Sequence, residues 1–95
     1  SQRNIRLHVA YDGTGFCGWQ KQENGPTIQG LLEDALARIT KEPVEVSGAG
    51  RTDAGVHAMA MPANFHTNAA MPAMAFQRAL NSMLPKAVRV VEAAD

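Results

Sequence analysis

The residues of this chain best suited to chemistry lie in one short string, Gly48-Ala49-Gly50-Arg51-Thr52-Asp53-Ala54-Gly55-Val56-His57-Ala58. It sets a carboxylate, a guanidinium and an imidazole among glycines, which let another molecule approach the main chain closely. Arg51 and Asp53 stand two apart, so in an extended segment both side chains project to the same side. A positive charge beside a carboxylate favours its ionised form. An ionised carboxylate presented to a ligand can serve as nucleophile or base. An isolated Arg-x-Asp would read as a surface turn with an incidental ion pair; the whole string is far more specific. His57 either places this loop or contacts a ligand.

Other chemistries find less support. No Cys/His spacing suggests a zinc site. Gly48-x-Gly50 lacks the Lys-Ser/Thr of a phosphate loop and precedes no helix. Tyr11, Phe16 and Trp19 could stack on bases. Tyr11 reads equally well as buried strand, whereas Trp19, on a Gly-rich loop, is the better candidate for a contact. Cys17 has no clear electropositive neighbour in sequence and is read as a small half-buried apolar residue.

The string must be positioned by the elements around it. Ile5, Leu7, Val9 and Tyr11 alternate with Arg6, His8, Ala10 and Asp12, the pattern of a half-buried strand. A Gly-rich loop follows to Gly25-Pro26, and Thr27 is a good N-cap. Ile28, Leu31, Leu32, Ala35, Leu36 and Ile39 share one helical face, and Pro43 stops the helix. Val44 to Gly50 reads as a second strand and Met59 to His66 as a third. Pro72 suits the first turn of a second helix, with Phe76, Ala79, Leu80, Met83 and Leu84 as its apolar stripe and Pro85 as its end. Val88 to Glu92 is a last strand. The order β-α-β-β-α-β predicts an α+β, ferredoxin-like split fold, a four-stranded antiparallel sheet with two helices on one face. Arg6, His8 and Arg89 are expected on the open face. Met59, Met61, Met74 and Met83 read as core filler. Pro62, in a strand this topology makes central, predicts a bulge or interruption there.

Ninety-five residues make one small domain. A single cysteine cannot form an internal disulfide. With no signal-like segment and no long apolar run, a reducing cytoplasm is the expected location, with no membrane association. Nine basic residues balance nine acidic ones, which argues against a uniformly basic nucleic-acid-binding surface. The charges are unevenly spread: Glu33, Asp34, Glu42 and Glu45 cluster at the first helix and its exit, so a basic face can exist elsewhere.

Four segments resemble the N-terminal domain of the tRNA pseudouridine synthase A family. Tyr11-Asp12-Gly13-Thr14-Gly15-Phe16-Cys17-Gly18-Trp19-Gln20 is similar to its first loop, and Thr27-Ile28-Gln29-Gly30 to the opening of its first helix. Gly50-Arg51-Thr52-Asp53-Ala54-Gly55-Val56-His57 resembles its signature, and Leu80-Asn81-Ser82-Met83-Leu84-Pro85 the end of its second helix. All four occur in order. Met59-Ala60-Met61-Pro62 departs from the family's usual Gly-Gln-Val-like run.

The resemblance implies an isomerase that converts uridine to pseudouridine in the anticodon stem-loop of tRNA, with no cofactor and no metal. It makes Asp53 the expected catalytic residue, with Arg51, Thr52, His57 and Trp19 as substrate-binding residues. It also implies a homodimer and a C-terminal domain, absent from this chain, that supplies further contacts including a tyrosine. Residues 1–95 alone are then expected to fold without catalysing, and to self-associate through apolar surface left open on the sheet. The alternatives are a non-catalytic RNA-binding module and a small-molecule regulatory domain of the same fold. A carboxylate facing polyanionic RNA would weaken affinity in a mere binding module, so Asp53 favours the enzyme.

Overall fold

A computed structural model describes residues 2–22, 25–50, 55 and 57–95. The elements run β1 (Arg3–Tyr11), α1 (Ile28–Thr40), β2 (Val46–Gly48), β3 (Ala58–Thr67), α2 (Ala73–Met83) and β4 (Val88–Ala94). The strands form one sheet in the order β2-β3-β1-β4, with every neighbouring pair antiparallel. This is the expected ferredoxin-like α+β arrangement. The second strand is shorter than its sequence suggested.

Alternation decides which face is buried. Ile5, Leu7, Val9 and Tyr11 of β1 join Met61, Ala63 and Phe65 of β3 and Val88 and Val90 of β4 beneath the helices. α1 adds Ile28, Leu32, Ala35 and Leu36, and α2 adds Phe76 and Leu80. Phe65 and Phe76 meet edge to face, with ring centroids 5.3 Å apart, a favoured arrangement of aromatic quadrupoles.

The termini of α1 follow from local chemistry. Thr27 Oγ1 accepts the Gly30 N–H at 3.2 Å, satisfying one of the otherwise orphaned donors of the first turn. The helix closes at Lys41, before Pro43 is reached. Lys41 adopts the left-handed conformation (φ 63°, ψ 25°) and donates its N–H to the Ala37 carbonyl at 2.9 Å. Glycine is the usual occupant of such a position, because a Cβ is penalised there. Lys41→Gly should therefore raise the unfolding free energy by about 0.5 kcal/mol, with strain relief partly offset by a more flexible unfolded chain. Urea unfolding of the two proteins checks this.

Helix side chains fasten both outer edges of the sheet. At β2, Val46 donates its N–H to Glu33 Oε2 at 3.0 Å, and its carbonyl accepts from Gln29 Nε2 at 2.8 Å. At β4, Val90 donates to Asn81 Oδ1 at 2.8 Å and accepts from Asn81 Nδ2 at 2.9 Å. Each edge thus has one residue whose outward backbone groups are occupied, which blunts the edge as a template for further strands. Glu33, one of the acidic residues clustered at the first helix, is thus a structural acceptor.

Two expectations need correction. β3 runs unbroken through Pro62, which pairs with His8. Its carbonyl accepts the Ala49 N–H at 2.9 Å, so its backbone polar side faces β2 rather than β1. The missing N–H falls just beyond the end of β2 and costs the β1 ladder nothing. The irregularity lies earlier, where Val9 pairs with Met61 but Tyr11 with Ala58, leaving one extra residue in β3. Of the methionines assigned to the core, Met61 is buried, but Met59, Met74 and Met83 are exposed. The open sheet face is largely polar. Asn64 Nδ2 donates to Asn4 Oδ1 at 3.0 Å, His8 faces Glu92 at 3.1 Å, and the Arg6 guanidinium reaches the Asp95 carbonyl at 2.9 Å.

Candidate active site

Arg51, Thr52 and Asp53 lie outside the described residues, and the geometry begins at their flanks. On one side stand β2 and Gly50; on the other, Gly55 and His57 lead into β3. The loop between β1 and α1 meets both flanks.

Trp19 carries one of these contacts. Its side chain is only 2% exposed and packs against Tyr11, with centroids 6.2 Å apart. A Cβ added at Gly48 would meet the indole Nε1 at 2.4 Å, so the glycine lets β2 close over the ring. The backbone holds the ring in place, since the Gln29 N–H donates to the Trp19 carbonyl at 2.9 Å and the Ile28 N–H to the Gly18 carbonyl at 3.2 Å. This corrects the expectation of a base-stacking surface. An enclosed indole offers no face to a base, and Trp19 instead supports the strand that precedes Arg51.

The second contact is polar. Gly13 donates its N–H to His57 Nδ1 at 2.8 Å, and Gly55 donates its N–H to the Phe16 carbonyl at 3.3 Å. Asp12 Oδ1 lies 3.1 Å from His57 Nδ1 and also accepts the Thr14 N–H at 3.0 Å, while the Asp12 N–H donates to the Ala87 carbonyl at 2.8 Å. Sequence reasoning had named His57 but not its partners. The one available signal was Asp12-Gly13 placed directly after an alternating strand.

Hydrogen bonds from the Thr14 backbone and side chain, and secondarily the nearby His57, hold the Asp12 carboxyl below the ordinary carboxylate range. A depressed carboxylate contributes stability that is present above its unfolded-state value and lost as pH falls through the folded-state value. Asp12→Asn should accordingly lower stability in the neutral region and flatten the acid limb, so that the two proteins converge at low pH. Urea midpoints measured through the acid range test this.

Asp12 and His57 border an open groove of 720 Å³ that also takes in Ala58, Met59, Lys86 and Arg89. Its rim thus presents two cations beside the imidazole, where β1 ends, β3 begins and β4 begins. Net neutrality of the chain therefore coexists with local positive charge, as a phosphate-bearing ligand would need. His57 is placed at this groove by the structure. Trp19 is placed beneath the floor of the neighbouring strand. Among the described residues no helix is long and apolar enough to cross a membrane.

Comparison with known proteins agrees along the chain. A family model described as tRNA pseudouridine synthase matches residues 7–95. The protein named tRNA pseudouridine synthase A of Caldicellulosiruptor saccharolyticus is 50% identical over 93 residues, covering 98% of this chain and 38% of that protein. Its namesake in Citrifermentans bemidjiense is 52% identical over 93 residues, covering 98% of this chain and 37% of its own length. That of Treponema denticola is 52% identical over 101 aligned residues, covering the whole of this chain and 38% of the relative. The chain thus spans under two-fifths of the length of these curated relatives.

Proposed function

Because the chain belongs to the tRNA pseudouridine synthase family, we propose that it supplies the carboxylate-bearing part of an isomerase converting uridine to pseudouridine in the anticodon stem-loop of tRNA. The observation that carries this reading is Asp53, set between Gly50 and Gly55 in Gly50-Arg51-Thr52-Asp53-Ala54-Gly55-Val56-His57, in a chain half identical to proteins named for the reaction.

The chemistry asks little beyond a carboxylate and tight positioning. The glycosidic bond from N1 of uracil to the ribose breaks, and a bond from C5 to the same anomeric carbon forms. The C5 proton is lost and N1 gains one, so atoms and charge balance with no change of oxidation state. No redox cofactor or energy source is required. Asp53 attacks the anomeric carbon or removes a neighbouring proton, and either role needs it ionised. Arg51 suits both holding Asp53 charged and contacting phosphate, through its forked donors. Thr52 and His57 are assigned to substrate placement. The target base must leave its stack to reach such a pocket. Lys86 and Arg89 at the rim of the groove suit the flanking phosphates.

The remaining parts of this reading are a homodimer, cytoplasmic action, and a C-terminal domain that completes the cleft. Positioning supplies much of an enzyme's acceleration, so residues 1–95 alone should not turn over substrate. The test is tritium release from unmodified tRNA labelled at C5 of uridine. The protein encoded by the full reading frame should release tritium from anticodon-stem uridines, and residues 1–95 alone should not. Absence of release by the full-length protein would overturn the assignment.

A further inference from the structure

The groove at the end of β1 joins two kinds of surface. Ala10, Ala58, Met59 and Ala87 give it apolar walls, and Lys86 and Arg89 stand exposed at its rim. Among the described residues no ion pair uses either cation. The carboxylate of the groove, Asp12, is already engaged by the Thr14 N–H and by His57. A volume of 720 Å³ is ordinary for a ligand site. Met59 is 90% exposed. A lone exposed methionine calls for no explanation, but here the backbone departs from regular pairing to expose it. Val9 pairs with Met61 and Tyr11 with Ala58, so Met59 and Ala60 together oppose Ala10. Regular pairing continued from Val9 and Met61 would set Met59 opposite Tyr11, on the buried face. The extra residue puts Ala58 there instead and turns Met59 out into the groove. Bulges commonly re-aim a side chain in this way beside a functional site.

We propose that Met59 is a substrate-contacting residue, whose thioether packs on the face of a nucleobase in this groove while Lys86 and Arg89 hold phosphates of the same RNA strand. The inference deepens the function proposed above and rests on it for the choice of RNA as ligand. Methionine suits the task because its polarizable sulfur packs well against an aromatic ring and its unbranched chain adapts to the ring it meets. Every base has such a face, so the contact holds a nucleotide without reading its identity. The two cations come from the turn before β4 and from β4 itself, whereas Met59 comes from β3. A bound nucleotide would thus span three strands, its base over β3 and its phosphate toward β4. Phosphate contacts of this kind fix the register of a strand and leave the chemistry to other groups. Met59 follows His57 by two residues, so the strand is held at the exit of the catalytic string.

The experiment places an isotopic label on the methionine methyls of residues 1–95 and follows them by NMR as a stem-loop RNA of the anticodon type is added, with inorganic phosphate in a parallel series. RNA should shift the Met59 methyl and leave those of Met74 and Met83, exposed on α2, in place. Phosphate alone should move the Lys86 and Arg89 resonances and not Met59. Met59→Ala should weaken RNA binding about fivefold, while Met59→Leu, which keeps the apolar bulk, should stay within about twofold of the parent. Neither should move the thermal midpoint, because the side chain is exposed. Lys86→Ala and Arg89→Ala should each reduce the salt slope of binding by about one, and Met59→Ala should leave it unchanged. A Met59 methyl indifferent to RNA, or parental affinity in Met59→Ala, would overturn the contact. Binding is read here without turnover, so the two claims separate. A Met59 response in a protein whose full-length form releases no tritium counts against the assigned function. Tritium release with an indifferent Met59 counts against the contact.

Discussion

Asp53→Asn should abolish pseudouridine formation while leaving tRNA affinity equal or slightly higher. The substitution keeps the size of the side chain and removes only its charge and basicity. Losing a general base costs about a hundredfold or more in rate, and losing an obligatory nucleophile costs more. Binding moves the other way because a negative charge repels the phosphate backbone, whose neutralisation dominates affinity for nucleic acid. The measurement pairs tritium release from C5-labelled tRNA with a filter-binding titration at fixed salt, both on the full-length protein. Turnover by the Asn variant at the parental rate would remove Asp53 from the mechanism. A parallel loss of binding and turnover would make it a folding or contact residue instead.

Trp19→Ala should destabilise the domain by about 3–5 kcal/mol, the range for removing a large aromatic from a core. For a chain of this size that lowers the midpoint of thermal unfolding by more than about 10 °C. The expectation follows from a ring that is 2% exposed and wedged between Tyr11 and Gly48. Had the indole been a stacking platform, its loss would have removed about 1–3 kcal/mol of RNA affinity with stability unchanged. The two outcomes separate cleanly in a thermal melt. Trp19 is the chain's one tryptophan, so its emission reports the same burial directly and should shift to the red only as the domain unfolds. Trp19→Phe, which keeps most of the buried area, should retain the fold at a smaller cost.

What could be read in advance was whatever is written in local periodicity. β1, α1 and α2 repeat their apolar residues with the period of a strand or a helix, and a single burial face then follows from each pattern. Thr27 was readable as a cap because N-capping is settled within three residues of chain. Lys41 was not, because the left-handed close of α1 carries no glycine to announce it. The methionines misled for a related reason: an unbranched apolar side chain is compatible with core and surface alike, and only neighbours decide. Met61 sits opposite Val9 and is buried, whereas Met59 falls within the β3 irregularity and is exposed.

The candidate site divides along the same line. The sequence by itself determined the reactive groups and their order, Arg51 and Asp53 with His57 downstream, because residue type and spacing along one segment need no fold to define them. It also determined the β-α-β-β-α-β order, because each element's period is local. Only the tertiary structure decided that Trp19 is scaffold, that Pro62 aims its missing N–H away from β1, and that His57 answers to Gly13 and Asp12. The Gly13 and His57 partners lie 44 residues apart in the chain. Pairing across that distance depends on strand register, on which side of β3 faces which neighbour, and on whether a glycine such as Gly48 leaves room for a ring. Those are properties of two segments taken together, and they exist only once the sheet has formed.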